Sequence, residues 1–247
     1  MSSSLVEPGV PLAVLCVVMV LSAALVYRIS AIGRVTTVPS ASLRGFAQLA
    51  AVSLVLAGAL AHLWSSLLVL LVMFGAAAFT SIRRSEAGKS GLWLAVPLAA
   101  GVGVVVPLCL ITGVVPPEGI AIVPVGGIIL GGTMTATSLA ARRALDALSA
   151  RRGEVEAALS LGLTERDSRL EVVRPTAGDA LLPGLDQTRT VGLVTLPGAF
   201  VGVLLASGSA IQAGAVQILV LTGLLLGQTL AVVLTVEFVS RGMVHRR

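Results

Sequence analysis

Long stretches almost without charge recur along this chain, and they constrain its fold more than any other feature. Seven can be marked: Gly9 to Tyr27, Phe46 to Trp64, Ser66 to Ser81, Leu92 to Val114, Ile120 to Leu139, Thr190 to Ala206 and Ile211 to Val239. A helix needs about 20 apolar residues to cross ~30 Å of hydrocarbon. Ser66 to Ser81 and Thr190 to Ala206 are the shortest of the seven. Backbone groups find no water in lipid, and the stretches lack the alternation of outer-membrane strands, so each is predicted to be a helix. Only 12% of the residues are charged, about half the share in a soluble domain. The chain is therefore predicted to be an all-α, polytopic membrane protein of seven spans, one transmembrane domain over residues 1–247.

The placement of positive charge tests that count, because cytoplasmic connections collect Lys and Arg. Arg28, Arg34 and Arg44 follow the first span, and Arg83, Arg84 and Lys89 follow the third. Arg142, Arg143, Arg151, Arg152, Arg166, Arg169, Arg174 and Arg189 follow the fifth, and Arg241, Arg246 and Arg247 follow the seventh. These are all 17 basic residues; the connections around His62, Pro116 to Gly119 and Ser207 to Ala210 have none. The alternation predicts an N-terminus outside and a C-terminus in the cytoplasm. Merging the second and third spans across the tight turn near Ala61 to Ser66 would break it. Met1 to Gly9 carries no Lys or Arg and a single charge, Glu7, so it is not expected to be a cleaved secretion signal. The basic pI of 10.5 then reflects topology and contact with anionic lipid, not nucleic acid.

Residue types for chemistry are scarce. Cys16 and Cys109 lie inside predicted spans, where packing is favoured over a disulfide or a metal site. His62 and His245 are far from one another in the pattern, so neither a metal cluster nor a Ser/His pair can be assembled, and no metal ligands are assigned. "EAGKSG", residues 86–91, contains Gly-Lys-Ser, but Arg83 stands where a phosphate loop needs its first glycine and no apolar strand precedes it. It reads as a solvated inner loop, and the chain is not expected to hydrolyse ATP or to bind a cofactor itself.

One polar island remains, "GEVEAALSLGLTERDSRLEVVRP", residues 153–175. The fifth span is predicted to run on as a helix through residue 162, with Leu145, Leu148, Val155 and Leu159 near one face. Gly162 suits a left-handed cap. Thr164 offers an N-cap to a second short helix with Glu165 and Asp167 in its first turn, and Pro175 is expected to stop it.

This island resembles the cytoplasmic signature of permeases of ATP-binding-cassette (ABC) transporters, E-A-A-x3-G-x9-I-x-L-P: Glu156, Ala157, Ala158, Gly162 and Pro175 match, Val172 takes the Ile position and Arg174 replaces the Leu. The resemblance implies a coupling helix, within a cytoplasmic segment of about residues 141–189 between spans five and six, that inserts into a groove of an ATPase subunit. Two further stretches, "VPVGGIILGGTM" (123–134) and "LLPGLDQTRTVGLVTLPGAFVG" (181–202), are similar to the paired hallmarks of the FetB family. These bacterial iron-export permeases are themselves similar to plant permeases implicated in aluminium tolerance. Arg44 with Gln48, then Asp186, Thr190, Gly192, Leu196, Pro197 and Gly198, follow the family order; Gly132 stands where Asn is common and Arg189 where Lys is common.

The family resemblance implies a permease homodimer in a bacterial inner membrane, exporting a metal ion such as iron. It would be driven by a separate ABC ATPase that carries ATP and Mg. Candidate pathway or gating residues are Gln48, Met134, Asp186, Arg189, Thr190, Pro197 and Gly198. On residue chemistry alone, Asp186 near the inner end of a span is costly unless it meets water or a partner, and Arg189 is three residues on. That pair reads equally as a structural ion pair or a gating site. Pro197 and Gly198 can loosen the sixth span. Gly126, Gly127 and Gly131 permit close helix contact, and Thr133, Thr135, Thr137, Gln217 and Gln228 add scattered intramembrane hydrogen-bonding groups. Met134 adds a soft ligand, and Glu237 is read as an anchor. An ATP-independent secondary transporter would want more intramembrane acids than Asp186 and Glu237. An intramembrane enzyme would want a His base beside a serine such as those of "ASGSA", residues 206–210, and no span holds one.

Overall fold

The structure is a computed structural model, and it describes residues 9–31, 33–59 and 62–246. Residues 1–8, 32, 60, 61 and 247 lie outside the described residues, and so do the expectations placed on Glu7 and Ala61. The chain forms two compact units, which part after Ala59. In the first, α1 (Val10–Ile29) packs against α2 (Thr37–Ala59), the helix that carries Arg44 and Gln48. Pro11 stands in the first turn of α1, where a missing N–H costs nothing.

The second unit is built around α5 (Gly119–Ala150). Against it pack α3 (Leu63–Ser85), α4 (Ala95–Ile111), which continues a 3-10 turn from Gly88, α7 (Glu165–Ala177) and α10 (Ala210–Ser240). The short helices α6 (Arg152–Ser160), α8 (Leu182–Thr190) and α9 (Gly198–Ser207) complete it. Among the described residues the only strand-like feature is a bridge from Val191 to Thr195. One apolar cluster gathers Val105, Cys109, Val115, Ile122 and Ile129, so Cys109 is buried in packing. A second joins α5, α7 and α10 through Ala140, Ala141, Ala144, Leu145, Val173, Val236 and Val239.

Five helices among the described residues are long and apolar enough to cross a membrane: α1, α3, the Gly88–Ile111 rod, α5 and α10. They coincide with predicted spans one, three, four, five and seven. Predicted span two ends earlier than expected. The α2 helix stops at Ala59, while Leu63 and Trp64 open α3 after His62, whose extended backbone (φ −131°, ψ 142°) interrupts the run. The carbonyl of His62 then accepts the hydroxyls of Ser65 (2.8 Å) and Ser66 (3.1 Å), which sets the start of α3.

Predicted span six, Thr190 to Ala206, is not one helix. Val191 turns extended, Gly192 takes φ +81° and its N–H closes a turn on the Thr195 carbonyl at 2.9 Å, and Pro197 is extended at ψ 154°. What remains apolar and helical is the ten-residue α9, about 15 Å long, half the thickness of the hydrocarbon layer. Residues that the hydropathy pattern cannot distinguish from a span thus form a break, because Gly192 supplies a left-handed backbone and Pro197 cannot donate to a preceding turn.

Basic connections of the second unit meet at one end. Arg142 reaches Glu86, just after α3, at 3.7 Å, and Arg246 of the C-terminal tail pairs with both Glu86 (3.6 Å) and Asp146 of α5.

Candidate functional site

The predicted helix through residue 162 is two helices. At Arg151 the backbone leaves the helical region (φ −114°, ψ 33°), ending α5 and starting α6. Its guanidinium holds the bend: it donates to the Glu154 carboxylate and, at 3.2 Å, to the Val172 carbonyl on α7. The Arg151 hydrogen bond holds the Glu154 carboxyl below its ordinary range. After α6, Gly162 takes φ +90°, with bonds from Gly162 N–H to the Leu159 carbonyl (2.9 Å) and Leu163 N–H to the Ala158 carbonyl (3.2 Å). This bond pair is a Schellman cap, which requires a left-handed residue at that place. Thr164 then caps α7, accepting the Asp167 N–H at 3.2 Å and donating to its carboxylate at 2.7 Å.

The result is an exposed hairpin, α6–Gly162–α7. Glu156, Ala157 and Gly162 are exposed on it and Ala158 half-buried. Val172 is not part of that surface. It faces inward at 2% exposure, with Ser168 and Val173 beside it. Pro175 does not stop α7, which continues to Ala177. The proline ring removes one backbone donor and crowds the Glu171 carbonyl four residues back, which weakens the end of α7 without terminating it. Leu145 and Leu148 of α5 and Val155 and Leu159 of α6 all line one open cleft of ≈ 910 Å³, together with Val239 and Val244.

Two joints tie the hairpin and its sequel to the bundle. Arg166 of α7 grips Glu237 of α10 with both arms, Nε to Oε1 at 2.8 Å and Nη2 to Oε2 at 2.7 Å, and Arg241 adds a third donor at 2.6 Å. Paired this way, the Arg166 guanidinium is pushed above its usual range, first by the hydrogen bond to Glu237 and then by its charge. Glu237 was legible as an anchor; Arg166, 71 residues away in sequence, gave no local signal.

The second joint is steric. Gly184 of α8 lies so close to Gln228 of α10 that a Cβ there would sit 2.0 Å from Gln228 Oε1. On the other side of the same amide, a Cβ on Gly132 of α5 would sit 2.9 Å from Nε2 and 2.4 Å from Leu224 Cδ2. Gly132 is thus the small residue that admits Gln228 between α5 and α8. Gly184 lies inside the hallmark stretch 181–202, but nothing in the local pattern singled it out for this contact.

Polar side chains are strung along α5 and α10 as a buried polar column, with Gln228 at that joint and Thr133 beside Gly227. Thr133 and Thr137 of α5 are fully buried, Gln217 and Gln228 of α10 nearly so, and the Thr133 and Thr137 hydroxyls and both Gln Oε1 atoms have no hydrogen-bond partner. Backbones close in beside it: a Cβ on Gly101 would meet the Gly227 carbonyl and Thr133 Cγ2, each at 2.8 Å. Gly126 and Gly127 likewise pack α5 against Leu70 and Met73 of α3, whereas Gly131 has nothing within 4 Å. Close packing therefore accounts for two of the three glycines expected to provide it.

The other predicted pathway residues are spread out. Gln48 belongs to the first unit. Met134 is half-buried, and its carbonyl accepts the Ser138 hydroxyl at 2.7 Å. Asp186 and Arg189 do pair, at 3.5 Å, but their side chains are 64% and 68% exposed, so the pair contributes little. Thr190 donates to the Asp186 carbonyl at 2.8 Å, and Pro197 and Gly198 start α9. Among the described residues no three His, Cys, Asp or Glu side chains gather as metal ligands.

The chain is similar to the UPF0014 membrane protein STAR2 of Oryza sativa subsp. japonica, with 34% identity over 68% of this chain and 60% of the rice protein. It is also similar to the UPF0014 membrane protein slr1647 of Synechocystis sp., at 33% over 72% of this chain and 71% of that one. A protein of Escherichia coli named probable iron export permease protein FetB is 26% identical over 73% of this chain and 70% of its own length. The chain thus spans less than two thirds of the rice relative, and no solved structure matches it. With residues 11–244 matched, nearly its whole length, this is a FetB-like membrane protein belonging to the Uncharacterised protein family (UPF0014).

Proposed function

We propose that this chain is the membrane-spanning subunit of an ABC transporter that exports a metal ion such as iron across a bacterial inner membrane. Two copies would work with two copies of a separate cytoplasmic ATPase, which supplies the sites for ATP and Mg. The observation that carries the reading is the α6–Gly162–α7 hairpin: it presents the matched Glu156, Ala157 and Gly162 outward while its rear is fastened to α5 and α10. The iron-export name of the E. coli relative supports the cargo and the direction.

In this mechanism the partner's ATP-driven closure displaces the hairpin. Small side chains at Ala157 and Ala158 permit close approach, and the Gly162 cap keeps the hairpin tip rigid. Displacement of α7 reaches α10 through Arg166 and Glu237, and reaches α5 through Arg151 and the Val173 packing. A rigid element with two arrangements is what converts such a push into alternating access. The polar column of Thr133, Thr137, Gln217 and Gln228 is the part of the bundle best able to solvate an ion in transit, since its oxygens have no competing partners.

The test is co-reconstitution with an ABC ATPase that copurifies with the chain. Glu156→Arg should insert normally yet separate ATP hydrolysis from metal efflux. Unchanged efflux per ATP, or no ATPase recovered with the chain, would overturn the coupling reading. Unchanged cellular iron in a deletion strain would overturn the cargo.

A further inference from the structure

We propose that the loop after α3 and the C-terminal tail form a binding site for the phosphodiester headgroup of an anionic phospholipid. A pocket of ≈ 560 Å³ opens there, lined by Glu86, Lys89, Ser90, Trp93, His245 and Arg246. Its walls come from sequence segments some 155 residues apart, fastened at Ser90. That hydroxyl lies 2.8 Å from the His245 carbonyl and accepts the His245 N–H at 3.1 Å. The Gly-Lys-Ser of this loop cannot serve a nucleotide, for want of the first glycine, but it places a cation and a hydroxyl on a pocket floor.

The charge balance favours one anionic group. Glu86 is engaged by Arg142 and Arg246, and Asp146 by Arg246. Lys89 is exposed and has no acid partner among the described residues. Arg246 lines the same pocket, but its guanidinium is already committed to Glu86 and Asp146. A single phosphodiester charge matches Lys89, the one Lys or Arg among the described pocket-lining residues without an acid partner.

Hydrocarbon is the second half of the ligand. The chain that follows the pocket-lining loop is apolar, with Leu92, Trp93 and Val96 exposed at 67%, 48% and 44% on a rod long and apolar enough to cross a membrane. Trp93 sits at that border, edge-on to Phe238 with ring centroids 6.1 Å apart. Tryptophan favours such an interface between headgroups and chains. Basic pockets between spans at the positively charged end of a bundle suit anionic headgroups. A free oxyanion would use the polar floor and leave the apolar strip without a role.

The chain has two tryptophans, so in a Trp64→Phe background Trp93 alone reports on the pocket. The full-length protein is placed in lipid discs carrying either phosphatidylglycerol or phosphatidylcholine brominated on the upper acyl chain. Trp93 should be quenched by the brominated phosphatidylglycerol at several-fold lower mole fraction. Lys89→Gln should weaken that preference about fivefold, the effect of one interfacial cation, with the melting temperature unchanged because Lys89 is exposed. Equal quenching by the two lipids, or a preference that survives Lys89→Gln, would overturn the site. Loss of the preference on adding millimolar inorganic phosphate at constant ionic strength would assign it to free phosphate instead.

Discussion

Replacing Gly184 by Ala would place a methyl group 2.0 Å from Gln228 Oε1 and 3.0 Å from Gln228 Cδ. Non-bonded heavy atoms settle near 3.5 Å, so the amide would have to withdraw by about 1.5 Å. A flexible side chain can often do this at little cost. Here the retreat is obstructed, because Nε2 already lies against the Gly132 position of α5 and Leu224 Cδ2 crowds the same spot. Overpacking of this kind costs about 1–3 kcal/mol, offset by the roughly 0.5–1 kcal/mol that Ala gains over Gly within a helix. The net expectation is a loss of about 1 kcal/mol, and at most about 2.5 kcal/mol. For a chain of this size each kcal/mol shifts the melting temperature by about 2–4 °C, so a fall of a few degrees should be seen in detergent.

The double variant decides the cause. Gln228→Ala removes the obstructing amide and an oxygen that has no partner. In that background Gly184→Ala should cost nothing or stabilise, giving a coupling energy near the full single-variant loss. If Gly184→Ala melts with the parent protein, or if its cost persists without Gln228, the steric joint between α8 and α10 is refuted.

Further expectations concern the other joints and the polar column. Arg166→Glu should loosen α7, seen as faster amide exchange across residues 165–177, and the reversal Arg166→Glu with Glu237→Arg should recover part of the protection. Thr133→Val keeps shape and deletes a buried, unpartnered hydroxyl, so the melting temperature should hold or rise while metal efflux falls; unchanged efflux would remove Thr133 from the path. Gly162→Ala forces a Cβ into φ +90° and should cost about 1–2 kcal/mol, read as fraying of the α6 amides. The folded-state pKa of Glu154 is depressed by Arg151, so its contribution is present above the usual carboxylate range and lost as pH falls through the folded value. Exchange at the α5–α6 bend should therefore rise, below about pH 4, relative to Glu154→Gln.

How far the sequence could be read depended on the range of the interactions involved. Helices whose cause is local were legible. The runs of α1, α5 and α10, the left-handed cap at Gly162 and the N-cap at Thr164 follow from residues within one turn of each other. The break at residues 191–197 was not, because hydropathy weighs Leu193, Val194 and Leu196 as span-forming while the backbone of Gly192 and Pro197 decides the shape. Val172 matched a signature position yet faces inward, since the pattern records residue type and not which side of α7 is already packed. The parts played by Arg166 and Gly184 were invisible for one shared reason. Each acts on a residue of α10 that only the fold brings near.

That shared target bears on mechanism. Between Gln228 and Glu237, α10 receives both contacts, nine residues or about 13 Å apart along its axis. One contact is an ion pair between partly exposed groups, which can slide, reform and respond to salt. The other is a steric stop between a backbone and an enclosed amide, which cannot yield without moving a helix. A push on the hairpin through Arg166 alone would tilt the end of α10, whereas a push that also carries α8 would bear on it beside the polar column. The two routes separate experimentally. If coupling runs through the ion pair, Arg166→Glu should lower metal efflux per ATP steeply in low salt while the parent loses efflux as salt rises. If it runs through Gly184, efflux should follow the Gly184→Ala defect and its relief in Gln228→Ala, with little dependence on salt.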